Sequence, residues 1–516
     1  MDREQIYYQS TRGEGGKVTA SQAILQGLAP DGGLYVPDHL PKLDVPTAEL
    51  AKMHYREVAF EVLKLFLTDY TEEELHHCID SAYDAKFDSE EIVPLKKADG
   101  LTYLELFHGA TIAFKDMALS ILPHLMTTAA RKNGLDKEIV ILTATSGDTG
   151  KAAMAGFADV PGTSIVVFYP KDGVSYVQKR QMITQKGANT CVIGINGNFD
   201  DAQRGVKEMF GDKALAEKLA AEGFVFSSAN SINIGRLVPQ VVYYVYGYAK
   251  MVAAGEVTDG EPIDICVPTG NFGNILAAHY AKCIGLPVRN LICASNDNKV
   301  LYDFFRTGTY DRNRDFILTI SPSMDILISS NLERLIYESC GAAKDPAAAA
   351  AKNRALMAEL SSTGKYAVID EMTSYMKDFI PGFATEQETL EEIRKVYENA
   401  GYVIDTHTAV AAYAADHYVA GLKESGEKVL PVLVASTASP FKFSRAVMHA
   451  IDPEHFSDEE AAPEEEWGVV DALSALTGLP LPPTVTEARS AEVRHPGTAE
   501  VSEMQEKVEM FLKRHK

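Results

Sequence analysis

Two hydrophobic patterns alternate along this chain. Short β-branched runs without polar alternation occur at 139–143 (IVILT), 165–169 (IVVFY), 263–267 (IDICV) and 432–435 (VLVA). A run of this kind has no solvent-facing side, so each is predicted as a strand buried on both faces of a parallel sheet. Ala-rich helical stretches lie between them, such as 274–284 (NILAAHYAKCI) and 407–419 (HTAVAAYAADHYV). From about residue 93, strand, Gly/Ser/Thr loop and helix follow one another, which predicts an α/β body with a mostly parallel sheet. Ahead of it, residues 1–92 mix a Gly-rich opening with two helical stretches. The second, TEEELHHCIDSAYDAKF, begins on Thr71 with an acidic first turn, the signature of a helix start. The chain is accordingly divided into a small N-terminal domain (1–92), an α/β body of two subdomains (93–456) and an extension (457–516). The extension is acidic around DEEAAPEEEWG, carries PLPPT at 480 and turns helical over 498–514; it is read as an accessory rather than a site.

Composition narrows the classes of function. A chain of 516 residues is too long for one ordinary core. A net charge of -23 excludes a nucleic-acid partner, which needs a basic face, but permits a local basic pocket for a small anion. The six cysteines form no Cys-x-x-Cys pair, and those in apolar runs are expected to be small buried thiols. The opening MDREQIYYQS has no signal pattern and no run approaches membrane-spanning length, so a reducing cytoplasm is the expected location. No metal site is expected: the histidines are isolated except His76-His77, and adjacent helical residues face different directions.

Four stretches carry candidate chemistry. In LFHGATIAFKDMALSIL (106–122), Lys115 sits among apolar neighbours that would desolvate a nucleophilic amine; by composition alone it also reads as a surface lysine. In TATSGDTGKAA (143–153), a Ser/Thr/Gly loop closes onto a helix, which suits an anion or a plain capped turn. It is not a nucleotide loop, because Thr145 and Ala152 stand where that motif needs Gly and Ser or Thr. VPTGNFGNILAAH (267–279) sets two glycines around Asn271 and Phe272 at a strand-to-helix turn, an arrangement favouring phosphate. In VLVASTASPFKFSRAV (432–447), Thr437 either faces a ring nitrogen or closes a strand end through local hydrogen bonds.

That ordered set resembles the tryptophan-synthase-β-like fold (fold type II) of pyridoxal-phosphate enzymes and, within it, the threonine synthase family of bacteria and fungi. Beyond the cofactor stretches, the resemblance rests on STRGEGGKVTASQAILQGLAPDGGLYVP (10–37), SSANSINIGRLVPQ (227–240), TISPSMDILISSNLERL (319–335) and DTHTAV (405–410). It extends from about residue 7 to 446, and the acidic tail contributes nothing to it. Ala110 departs from the family's HGPT pattern. The resemblance implies that Lys115 carries pyridoxal 5'-phosphate, that Gly270, Asn271, Phe272, Gly273 and Asn274 cradle its phosphate, and that Thr437 hydrogen-bonds its ring nitrogen. It implies O-phospho-L-homoserine and water as substrates and L-threonine and phosphate as products. Thr145, Ser146, Asp148 and Thr149 would hold the substrate's polar groups, with Asn230, Asn233 and Arg236 at its phosphate; Arg236 also reads as one half of a structural ion pair. His407 is read as a cap beside Asp405. A monomer or homodimer is expected. The alternatives are a related phospholyase releasing a 2-oxo acid, and a ligand-binding relative without catalysis.

Overall fold

The computed structural model describes residues 4–145, 147–171, 174, 176–457 and 463–514. Two sheets organise them. The larger runs in the order Phe379–Phe383, Val288–Ser295, Ile263–Pro268, Val432–Ser436, Leu101–Glu105 and Leu95–Ala98, parallel except for its last pair. The smaller runs Thr498–Ala499, Thr190–Ile195, Thr163–Pro170, Glu138–Ala144 and Phe224–Ser227, all parallel. Each strand expected from a non-alternating run is present and buried on both faces. The physical reason is the βαβ connection: it lays helices on both sides of a parallel sheet and leaves no wet face. The helix Ile234–Ala253, buried along nearly its whole length, packs on helices Gly273–Cys283, Tyr55–Phe66 and Lys115–Leu119.

The N-terminal residues share the core of the body. Helix Glu72–Ala82 starts at Thr71, whose hydroxyl accepts from the Glu74 N–H while the Glu74 carboxylate accepts from the Thr71 N–H. Such a cap is worth about 1 kcal/mol. Tyr55, Val62, Phe66 and Tyr83 belong to one continuous apolar cluster with Leu125, Tyr246 and Tyr280 of the body. Among the described residues of this segment the only sheet is the short pair Tyr8–Ser10 with Tyr35–Pro37, too small to enclose a core of its own.

The C-terminal residues are equally integrated. Helix Pro463–Thr477 packs on helix Ser444–Ile451, beside the large sheet, while helix Pro483–Ser490 packs on helix Tyr176–Ile183, beside the small one. Arg180 donates to the carbonyls of Ala488 and Ala491. Thr498–Ala499 then covers the open edge of the small sheet, which an unpaired strand would leave prone to association.

Cys78, Cys266, Cys293 and Cys340 are buried and Cys283 is exposed. Burial pushes the Cys293 thiol up to about 12, which keeps it unreactive. Among the described residues no helix is long and apolar enough to cross a membrane. Three carboxylates, Asp99, Glu392 and Asp416, converge, but Lys395 bonds to them and makes the cluster an ion-pair network.

Among the ion pairs that join the first segment to the body, the one at His108 sets a pH dependence. His108 bonds Asp88 through Nδ1 (2.6 Å) and Glu105 through Nε2 (2.9 Å). Burial works against its charged form, but Asp88 and Glu105 more than offset this and raise its pKa to about 9. A raised histidine contributes stability that is full below about 6.5, its unfolded value, and is lost as pH rises through about 9. Thermal unfolding of wild type and His108→Gln should therefore differ most at pH 6 and converge by about pH 10; a constant difference across that range would refute the assignment.

Candidate active site

Strand Leu101–Glu105 runs into a loop that ends where helix Lys115–Leu119 begins. Asp116 holds this loop: its carboxylate accepts from both the N–H and the hydroxyl of Thr111, each at 2.7 Å. Gly109 lies so close that a Cβ there would sit 2.6 Å from the Asp116 side chain. Ile112 has φ +53°, a costly conformation for a β-branched residue. It is held there because its carbonyl accepts from the Ser439 N–H at 3.0 Å, and the Phe114 N–H donates to the Thr437 carbonyl at 2.8 Å. The loop closes in this way with Ala110 at the position where the family pattern has proline. The lysine is thereby stitched to the end of strand Val432–Ser436, where Thr437 lies buried.

The Lys115 amine donates to Ser323 Oγ at 3.0 Å and faces Asp148 Oδ2 at 3.4 Å. Burial lowers its pKa; Asp148 opposes that effect, while Lys442 and Arg236 add to it. Asp148 is the hub of a buried polar cluster. Its carboxylate also meets Lys442 Nζ at 3.1 Å, Ser323 Oγ at 2.8 Å and Gln178 Nε2 at 2.9 Å. Desolvation alone would raise this carboxyl, but Lys442 and then Lys115 outweigh it and hold the group ionised. Asp405 caps helix Thr406–Ser425 through the N–H groups of His407 and Thr408 and also accepts from His407 Nδ1. His407 Nε2 accepts the Ser323 N–H at 3.1 Å, so the ring carries its proton on Nδ1 and fixes the serine.

The 270–274 loop approaches the same serine. A Cβ on Gly270 would lie 2.6 Å from the Ser323 carbonyl, so only glycine fits. The Gly270 carbonyl accepts from Ser329 Oγ, and that of Asn271 from Asn331. Phe272 adopts φ +64° and turns the chain into helix Gly273–Cys283. The first amides of that helix have no intrahelical acceptor and face outward from its positive end. Asn274 spends its side chain on the Pro268 carbonyl and the Ile275 N–H, a turn-closing role.

The remaining residues divide by burial and partner. Thr145 Oγ1 accepts from the N–H groups of Gly147 and Gly150, capping helix Asp148–Phe157; Thr149 is half-buried on its first turn. Ser146 lies outside the described residues. Asn233 caps helix Ile234–Ala253 and bonds the Ile24 carbonyl, while Asn230 is exposed. Arg236 is buried, and among the described residues no carboxylate pairs with it. One of its nitrogens donates to the Ala229 carbonyl, Nε has no partner, and burial lowers its pKa to about 10.

Ser323, Lys442 and His407 were not among the residues chosen from sequence. Each lies within a quoted stretch, but nothing in its local pattern marks a residue that reaches the lysine from a distant segment. The N-terminal stretch proves to be scaffold for the site. Arg12 forks onto Glu333 with bonds of 2.9 and 2.8 Å, and the next residue, Arg334, donates to the carbonyls of Tyr35 and Ile232. This locks the first segment against the loops that carry Asn331 and Asn233.

Models of known families divide the chain between them. Residues 7–83 match the threonine synthase N terminus, 93–377 the pyridoxal-phosphate dependent enzymes, and 408–494 the threonine synthase C-terminal region. The chain is 35% identical over 494 residues to threonine synthase of Schizosaccharomyces pombe, covering 90% of this chain and 94% of that protein. The chain belongs to the threonine synthase family. Threonine synthase-like 1 of Macaca fascicularis is 39% identical over 473 residues, 88% of this chain but 61% of that protein, so this chain spans under two thirds of its length. The crystal structure of pyridoxal-phosphate-bound threonine synthase from Brucella melitensis superposes with a TM-score of 0.83 at 33% identity, covering 98% of this chain and 99% of that one. The family's C-terminal model reaches residue 494, well past residue 446, where the resemblance read from sequence stops, so the segment up to residue 494 belongs to the family match.

The threonine synthase family belongs to fold type II, and its cofactor is pyridoxal phosphate. The residues present fit that group. Lys115 is buried and desolvated, Gly270 lets the loop backbone pass where a side chain would collide with Ser323, and the start of helix Gly273–Cys283 follows it. Among the described residues the Thr437 hydroxyl has no hydrogen-bond partner.

Proposed function

We propose that this chain converts O-phospho-L-homoserine and water to L-threonine and inorganic phosphate. The observation that carries the reading is a buried guanidinium, Arg236, which among the described residues has no carboxylate partner and whose charge helps to lower the Lys115 pKa. A buried cation without a counter-ion is costly. A phosphate ester with a second anionic group at the amino-acid end would neutralise it, and an arginine fork suits phosphate.

Pyridoxal phosphate, when bound, supplies the electron sink that stabilises negative charge on the substrate's carbons. Lys115 would hold it, with Gly270–Asn274 at its phosphate and Thr437 at its ring nitrogen. A neutral hydroxyl partner, unlike a carboxylate, leaves that nitrogen without a proton-holding charge. Lys115, as a free amine of lowered pKa, removes the Cα proton and returns protons at neighbouring carbons. Ser323 and Asp148 fix the direction of that amine. Thr149 and the first amides of helix Asp148–Phe157 would meet the substrate's polar groups, while Arg236 receives the departing phosphate. The enclosure of Lys115, 12% exposed, keeps stray water from the reacting carbons.

The test is to incubate the full chain with O-phospho-L-homoserine and pyridoxal phosphate and to quantify threonine, 2-oxobutanoate and phosphate. Threonine equal to phosphate is expected. Phosphate with 2-oxobutanoate and little threonine would replace this reading with a phospholyase, and no product at all would leave a ligand-binding relative.

A further inference from the structure

We infer that Lys442 is a positioning residue for the proposed reaction: it is the fixed counter-ion of Asp148, and so leaves Lys115 free to give up its proton. This rests on the assignment of Lys115 as the reactive amine. Three charges meet in one buried cluster. Asp148 directs Oδ1 to Lys442 Nζ at 3.1 Å and Oδ2 toward Lys115 Nζ at 3.4 Å, with the side chains of Asp148 and Lys442 only 9% and 2% exposed. Lys442 is further pinned by donating to the Thr111 carbonyl at 2.9 Å, which belongs to the same loop that Asp116 anchors.

The arrangement is asymmetric in a way that matters. Lys115 must change its bonding and charge during any reaction of its amine, whereas Lys442 sits on the short turn Pro440–Phe443 with both its contacts satisfied. With Lys115 alone opposite Asp148, the carboxylate would hold the amine protonated, and a neutral amine would leave a buried charge unpaired. With Lys442 present, Asp148 keeps a cation at all times, and the start of helix Asp148–Phe157 keeps its place. Arg236, on helix Ile234–Ala253, is a further cation that acts on the amine, whereas Asp116, on the lysine's own helix, is spent on Thr111 and Lys151, on helix Asp148–Phe157, on Gln185. His407, on helix Thr406–Ser425, accepts the Ser323 N–H.

The experiment follows Lys115 itself, not turnover. The full chain, stripped of cofactor, is reductively methylated with formaldehyde across pH 6–10.5, and Lys115 modification is quantified by peptide mass spectrometry; only the neutral amine reacts. Lys442→Met is expected to move the Lys115 profile upward by about one pH unit, slowing methylation at pH 7.5 about ten-fold. Lys442→Arg should keep the wild-type profile, and Asp148→Asn should move it down. Should Lys442→Met fail to fold, the double variant Lys442→Met/Asp148→Asn, which removes a neutral pair, decides: a profile near wild type supports the proposal. A double variant that matches Asp148→Asn overturns it, as does a Lys442→Met profile superimposed on wild type, or Lys442→Arg moving as far as Lys442→Met. Because neither substrate nor cofactor enters this readout, absence of threonine formation would refute the proposed activity and leave this result standing.

Discussion

Lys115→Ala is expected to lower kcat for threonine formation by about 10³-fold or more, and to abolish any borohydride-stable attachment of pyridoxal phosphate to the chain. General acid–base catalysis by one positioned group contributes roughly 10²–10⁴-fold, and here the same amine also anchors the cofactor. The variant should still fold. Alanine removes a desolvated amine whose partners, Ser323 and Asp148, remain satisfied by His407, Lys442 and each other. An unchanged or raised thermal midpoint alongside lost turnover would separate chemistry from structure. Retained turnover, or cofactor trapped on another lysine, would remove Lys115 from the site.

Arg236→Met is expected to act with opposite signs on stability and activity. The buried guanidinium has no carboxylate partner among the described residues and leaves Nε unbonded, so an apolar side chain of similar length should be neutral or stabilising in the substrate-free chain. Hydrogen bonds to a charged group are worth about 1.5–3 kcal/mol each, so kcat/KM for O-phospho-L-homoserine should fall roughly 10²-fold, chiefly through KM. The measurement is steady-state kinetics beside thermal unfolding of the same preparations. A several-degree drop in the midpoint with kcat/KM intact would make Arg236 a structural residue and would remove the main support for a phosphate ester as substrate.

The legible part of the site was its local chemistry. The 143–153 and 267–279 stretches read as strand-to-helix turns, and both open helices, at Asp148 and Gly273. The roles within them were harder to apportion. The side chains of Thr145 and Asn274 close their own turns, and that of Asn233 caps a helix. A short polar side chain at a helix start suits either task by composition, and only its neighbours decide which it performs. His407 shows the reverse: read as a cap, it left that task to Asp405 and reached across to Ser323.

What the sequence determined by itself was everything set by near neighbours along the chain: the doubly buried strands, the Thr71 cap, the glycine turns and the order of the four chemical stretches. The tertiary structure decided which distant residues meet. Lys442 joins Asp148 across nearly three hundred positions, Ser323 reaches Lys115 across two hundred, and Arg12 pairs with Glu333 from the far end of the chain. It also decided where the tail goes, because a two-residue edge strand such as Thr498–Ala499 has no periodicity to read. Period and capping are local properties of a chain. Pairing of charges in a buried cluster depends on which loops the two sheets bring to the same strand ends, and no window of sequence contains that information.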